Sequence, residues 1–179
     1  GASYHKDIQV TVAHTAYFCR LLSLPAMENE CVRAAIKEKG NEGKVLLIHA
    51  NGDAVSCRTM KAMEEALYKK EYKDFKYIYV SGALSDGAIK PTLISSVPLK
   101  DTVFIVDDSS KILLTAPVYE KIDIKGASIA VLDTIHLAAV TINPFSAYGY
   151  DFDKDEFYER MSAAVDVPVI NVEDRDSDD

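Results

Sequence analysis

The chain has 179 residues and a mass of 19.7 kDa, is 48% apolar and 27% charged with 8 Gly and 6 Pro, and so is neither collagen-like nor low-complexity. No run approaches the roughly 18 apolar residues of a membrane-spanning helix, which excludes a helical span from the expectations. The net charge is −8 with a pI near 5.0 and no Lys/Arg stripe, so the phosphate-neutralising surface of a nucleic-acid binder is missing.

Ile8, Val12, Ala16 and Cys19 recur at helical spacing between Asp7 and Leu22, ahead of Pro25. A second helix is predicted over Asn29 to Lys39 with Gly40 as its stop. KVLLIHA (44–50) is then a continuous apolar run of strand length, as a strand buried on both faces requires. A helix follows over Cys57 to Lys70, with Met60, Met63 and Leu67 inward. KYIYVSG (76–82) and TVFIVD (102–107) are the next strands, and the SDGAIKPTLISS between them reads as a broken helix because Pro91 lacks an N–H. DSSKILL fits either a helical turn or the return arm of a hairpin, and APVYEKI a short helix with Pro117 near its start. GASIAVLD and IHLAAVTINP are separated by too few residues for a parallel crossover, which predicts antiparallel neighbours. Asp153 opens a helix, with Glu156 completing a box-like reciprocal cap and Phe157, Met161 and Ala164 inward, and VPVINV (167–172) is the last strand.

This alternation predicts an α/β fold: a three-layer domain with a mixed, mainly parallel central sheet flanked by helices. One domain is expected over 1–172, comprising a helical segment 4–40 and a sheet-forming region 44–172. Residues 1–150 carry 17 acidic and 17 basic side chains, whereas 151–179 carry 11 and three. The last seven, EDRDSDD, are expected to be an acidic disordered tail. Cys19, Cys31 and Cys57 show no zinc spacing, and the start GASYHKDIQV has no apolar signal core, so the expected compartment is the reducing cytoplasm.

Ligands of open α/β sheets bind at the carboxyl ends of strands. That rule selects Asn51 and Asp53 after the first strand, Ser81 and Ser85 after the second, and Asp107, Asp108, Ser109 and Lys111 after the third. The same residue types also serve as ordinary turn and cap residues. GALSDG (82–87) has the glycine frame of a phosphate loop without its lysine, so only backbone N–H groups remain to cradle an anion. VFIVDD resembles a strand ending in a magnesium-binding aspartate, with Asp107 and Asp108 as the candidate ligands. No catalytic set is legible: there is no GxSxG elbow, and the cofactor is undetermined. PFSAYGYDF (144–152) crowds aromatics into a Pro/Gly loop, and Phe145, Tyr148 and Tyr150 are candidate anchors for a partner.

GASYHKD, VDDSSKILL and AVTINPFSAYGYDFDKDEF running on to DVPVINV together resemble the reactivase or accessory proteins encoded beside cobalamin-dependent lysine 5,6-aminomutases in amino-acid-fermenting bacteria. The resemblance spans most of residues 1–172 and implies similarity to the C-terminal part of a longer protein; it assigns no residue a role. The first expectation is therefore a non-catalytic or regulatory domain of an accessory protein that services a metabolic enzyme and binds a small ligand or nucleotide at strand ends. Its expected partners are that enzyme or its own N-terminal half, with no nucleic acid and no membrane. The alternatives are an interaction domain using the 144–152 loop and acidic C-terminal region, and a magnesium-dependent hydrolase.

Overall fold

The apolar runs of the sequence become the strands of a parallel sheet in the computed structural model, which describes residues 23–38, 44–50, 57–145 and 151–174. β1 (Val45–Ile48), β2 (Tyr77–Val80), β4 (Val103–Val106) and β6 (Ser128–Val131) lie side by side in that order, every pair parallel. Register aligns Leu47, Tyr79, Ile105 and Ala130 in one row across the sheet. β1, β2 and β4 are buried on both faces, which is why these segments read as unbroken apolar runs rather than alternating ones, while the edge strand β6 exposes Ser128. Sequence order equals strand order from β1 to β6, so each crossover steps one strand further in the same direction. The crossover helices are α2 (Cys57–Tyr68), α3 (Asp86–Ile94) and α4 (Ala116–Ile124). The opposite face is covered by α1 (Ala26–Glu38), whose Val32 and Ala35 pack with Leu47, Tyr77, Tyr79 and Ile105. Helices on both faces of a parallel sheet make the three-layer α/β fold.

Several expectations shift. α1 starts at Ala26, three residues before the predicted Asn29. α2 buries Met63 as predicted, but Thr59 and Ala66 join it, with Met60 and Leu67 only half-buried. α3 is continuous through Pro91: the helix keeps its course while packed against α2, and Ser95 closes its end by donating to the Pro91 and Thr92 carbonyls. DSSKILL is a 3-10 turn (Ser109–Lys111) followed by β5 (Ile112–Leu113), which pairs parallel with β3 (Leu84–Ser85) rather than returning as a hairpin.

The predicted antiparallel pair does not form. β6 lies in the main sheet, whereas β7 (Val140–Ile142) pairs in parallel with β8 (Val169–Asn171). β7 finds its partner in β8 instead, and at the end of β6 the outer edge is met by Ser23, which bridges Val131 in parallel, with Leu24 N–H donating to the Val131 carbonyl at 3.1 Å.

The chain divides into two compact units, one spanning Leu21–Thr134 and the other containing the chain from Ile135 onward. In the latter, α5 (Lys154–Ala164) packs Phe157 and Met161 against Val140, Ile142, Val165 and Val169. Asp153 caps α5 through the Glu156 N–H at 2.8 Å, as predicted, but Glu156 does not return the bond; its carboxylate pairs with Arg160. Glu173 and Asp174, expected in the acidic tail, instead belong to a 3-10 turn (Val172–Asp174), and Asp174 pairs with Lys154 at 2.7 Å. The expected 7–22 helix, Gly40 and residues 175–179 lie outside the described residues.

Candidate functional site

Because β1, β2, β4 and β6 run parallel, their exits share one edge of the sheet. The exits carry His49, Ser81, Asp107 and Asp133, which is the edge where ligands of such sheets bind. What each side chain does there separates structural from available groups.

Ser81 is structural. Its Oγ accepts the Ala50 N–H at 2.7 Å and donates to the Ile48 carbonyl at 3.1 Å, fastening the exit of β1 to that of β2. Ser85 caps α3 by accepting the Ala88 N–H at 3.3 Å. Asp108 is spent on its own turn, its Oδ1 accepting the Ser110 N–H at 2.8 Å. Asp86 is occupied as well, receiving the Thr115 N–H at 2.8 Å and the Thr115 hydroxyl at 2.7 Å.

The glycines of GALSDG serve packing. A Cβ on Gly82 would stand 2.5 Å from Thr59 Oγ1 and 2.9 Å from the Ala50 carbonyl oxygen, and one on Gly87 3.1 Å from Met60 Sδ. Both residues are therefore explained by the close approach of α2, and Ser85 takes the Ala88 N–H that an anion would need.

Asp107 differs. It is half-buried, its Oδ1 accepts the Tyr79 hydroxyl at 2.7 Å, and its Oδ2 has no partner among the described residues. Tyr79 and Asp107 lie on the same pleat face, since Asp107 is two residues beyond Ile105 and Ile105 aligns with Tyr79. Burial first, then the hydrogen bond to Asp107 and its charge, push the Tyr79 phenol well above its ordinary value, opposed by the Arg33 guanidinium. The phenol therefore stays a donor, and one carboxylate oxygen is held while the other has no partner among the described residues.

Beside this pair, α1 contributes a polar group that sequence reasoning missed. Arg33 donates to Asp133 Oδ1 at 2.8 Å, to Asn29 Oδ1 at 2.6 Å and to the Leu132 carbonyl at 3.3 Å, and Asn29 Nδ2 donates to that same carbonyl at 2.8 Å. The spacing of Asn29 and Arg33, four apart on one helix, was a visible signal. Their target about 100 residues away was not.

Of the eight strand-end residues predicted, the structure thus gives Ser81, Ser85 and Asp108 structural duties and leaves Asp107, Ser109 and Lys111 together on the β4 exit. Asn51 and Asp53 lie outside the described residues. Among the described residues no three His, Cys, Asp or Glu side chains come together to hold a metal, and Asp108 is turned into its own cap rather than toward a shared ion with Asp107. Of the aromatic loop, Phe145 is half-exposed, with its N–H on Asn143 Oδ1, while Tyr148 and Tyr150 lie outside the described residues. Phe152 closes the loop onto Phe157, ring centroids 4.9 Å apart.

No family model, curated protein or solved structure matches the chain significantly. No helix among the described residues is long and apolar enough to cross a membrane.

Proposed function

We propose that the chain is a ligand-binding, non-catalytic α/β domain of an accessory protein serving a metabolic enzyme, with its small ligand on the β4 exit. The observation that carries this reading is the Asp107 carboxylate, fixed on one oxygen by a buried phenol and open on the other, at the carboxyl edge of a parallel sheet. An oriented, half-buried acceptor suits a ligand that offers hydroxyl or ammonium donors, such as the ribose of a nucleotide. Ser109 and Lys111 on the same exit are the further candidate contacts. The accessory role rests on the family resemblance of the sequence.

Thermal unfolding against nucleotides with and without magnesium, cobalamin, pyridoxal phosphate and common metabolites tests it. A ligand at about 100 times its dissociation constant stabilises by roughly 2.7 kcal/mol, a rise of roughly 5–10 °C. The rise should vanish in Asp107→Asn and shrink in Tyr79→Phe. A ligand whose shift survives Asp107→Asn binds elsewhere, and that result rejects the site.

One observation favours docking as a second reading. The unit from Ile135 onward exposes Phe145, Tyr158 and Ile170 by 49, 44 and 49%, apolar area of the kind partner surfaces use. Loss of partner binding in Phe145→Ser, with ligand binding intact, would identify that reading.

A further inference from the structure

We propose that the cavity at the amino edge of the sheet binds a small zwitterion with an apolar side chain, of the size of a free α-amino acid. The cavity measures 510 Å³ and opens between α1 and the starts of β1 and β2. That volume is within the range of small-molecule sites. It lies at the strand starts, at the other edge of the sheet from Asp107, so neither reading depends on the other.

Four charged side chains surround it. Val45 and Tyr77 are in register, so Lys44 and Lys76, one residue earlier on adjacent parallel strands, emerge side by side. Glu28 enters from α1 and Asp74 from the 3-10 turn Glu71–Asp74. None of the four takes part in an ion pair with another described residue; Lys76 instead holds its ammonium 4.8 Å from the centroid of the Tyr77 ring. Tyr77 is 4% exposed and gives the cavity an aromatic wall, while Met27 stands 82% exposed at its rim.

Two cations and two anions, with no ion pair formed by any of them to another described residue, complement one kind of ligand. A carboxylate placed by Lys44 and Lys76 and an ammonium placed by Glu28 and Asp74 neutralise both pairs at once, and the side chain lies on Met27 at the rim. A simple carboxylate would meet the two acids uncompensated, and a simple amine the two lysines, so the mixed lining selects against both.

The full-length chain supplies the test. Leucine, methionine and phenylalanine are titrated calorimetrically beside N-acetyl-leucine and leucine methyl ester, each of which lacks one charge. Alkylation of Cys31, an exposed thiol on the cavity wall, is followed peptide by peptide with exposed Cys57 as the internal control. The expected result is saturable binding of at least one amino acid, with the blocked analogues about tenfold or more weaker. Lys76→Ala and Asp74→Asn, both at exposed positions, should each weaken binding to the same degree with unchanged melting, and ligand should protect Cys31 alone. Three outcomes overturn the proposal: no binding by any of the three at roughly 10 mM, equal binding by either blocked analogue, or binding that both substitutions leave unchanged.

Discussion

In the unit Leu21–Thr134 the strands β1, β2 and β4 are covered on both faces, whereas β7 and β8 bury only every second residue. VLLI and YIYV are buried throughout; in VTI and VIN the central Thr141 and Ile170 are exposed. The larger unit needs helices on both sides to achieve this, and α1 crossing the face opposite α2–α4 supplies the second layer. Among its described residues the smaller unit sets one helix on a two-stranded sheet, around a cluster of six buried side chains. Parallel strands covered by helices on both faces bury every residue, whereas Thr141 and Ile170, on the strand face turned from the described core of the smaller unit, are exposed.

The largest effect expected is at Phe104, fully buried in the middle of the main sheet. Phe104→Ala should cost about 3–5 kcal/mol in urea unfolding. Phe157→Ala, in the core beneath α5, should cost less, because a smaller cluster surrounds the space left behind. Equal losses would break the comparison.

The next effect is alkaline. Tyr72 is 1% exposed, donates to the Met63 carbonyl at 3.2 Å, and burial pushes its phenol up to about 12, with Thr92 opposing and Glu71 adding a smaller rise. A group whose folded value exceeds its unfolded one stabilises the fold below the unfolded value and loses that contribution as pH climbs through the folded one. Stability should therefore fall by about 2–3 kcal/mol between about pH 10 and 12, and Tyr72→Phe should flatten that decline in pH-dependent denaturant melts. An unchanged slope would show that the larger core does not penalise the phenolate.

Smaller effects are expected around α5. Asp153→Ala removes the cap at 2.8 Å and should cost about 1 kcal/mol, visible as faster amide exchange at Glu156. Lys154→Ala breaks an exposed pair with Asp174 and should change stability by less than about 0.5 kcal/mol at physiological salt. A larger loss would mean that the turn Val172–Asp174 anchors the smaller unit more firmly than an exposed ion pair can.

Legibility followed distance along the chain. The β1, β2 and β4 runs could be read because burial on both faces erases polar alternation within a few residues. The Asp153 cap was equally local, needing only Asp three residues ahead of Glu156. The partner of β6 could not be read, since the short gap to β7 permits an antiparallel pair but does not compel one. The candidate site was half legible: the rule that ligands sit at strand exits selected Asp107, but not the Tyr79 hydroxyl 28 residues earlier that holds it. Ser81, Ser85 and Asp108 were selected by the same rule, and nothing in their identity distinguishes a serine that ties two strands together from one that waits for a ligand.

The layers, the buried strands and the concentration of acid after residue 150 are written in local period or composition and can be read from the chain alone. Tertiary packing set the bridge of Ser23 to Val131 on the outer edge of β6, the bare Cα of Gly82 beside Thr59, and the meeting of two lysines and two carboxylates at the amino edge. Those outcomes depend on which edges and surfaces remain unoccupied once the strands have paired, and no short stretch of chain carries that information.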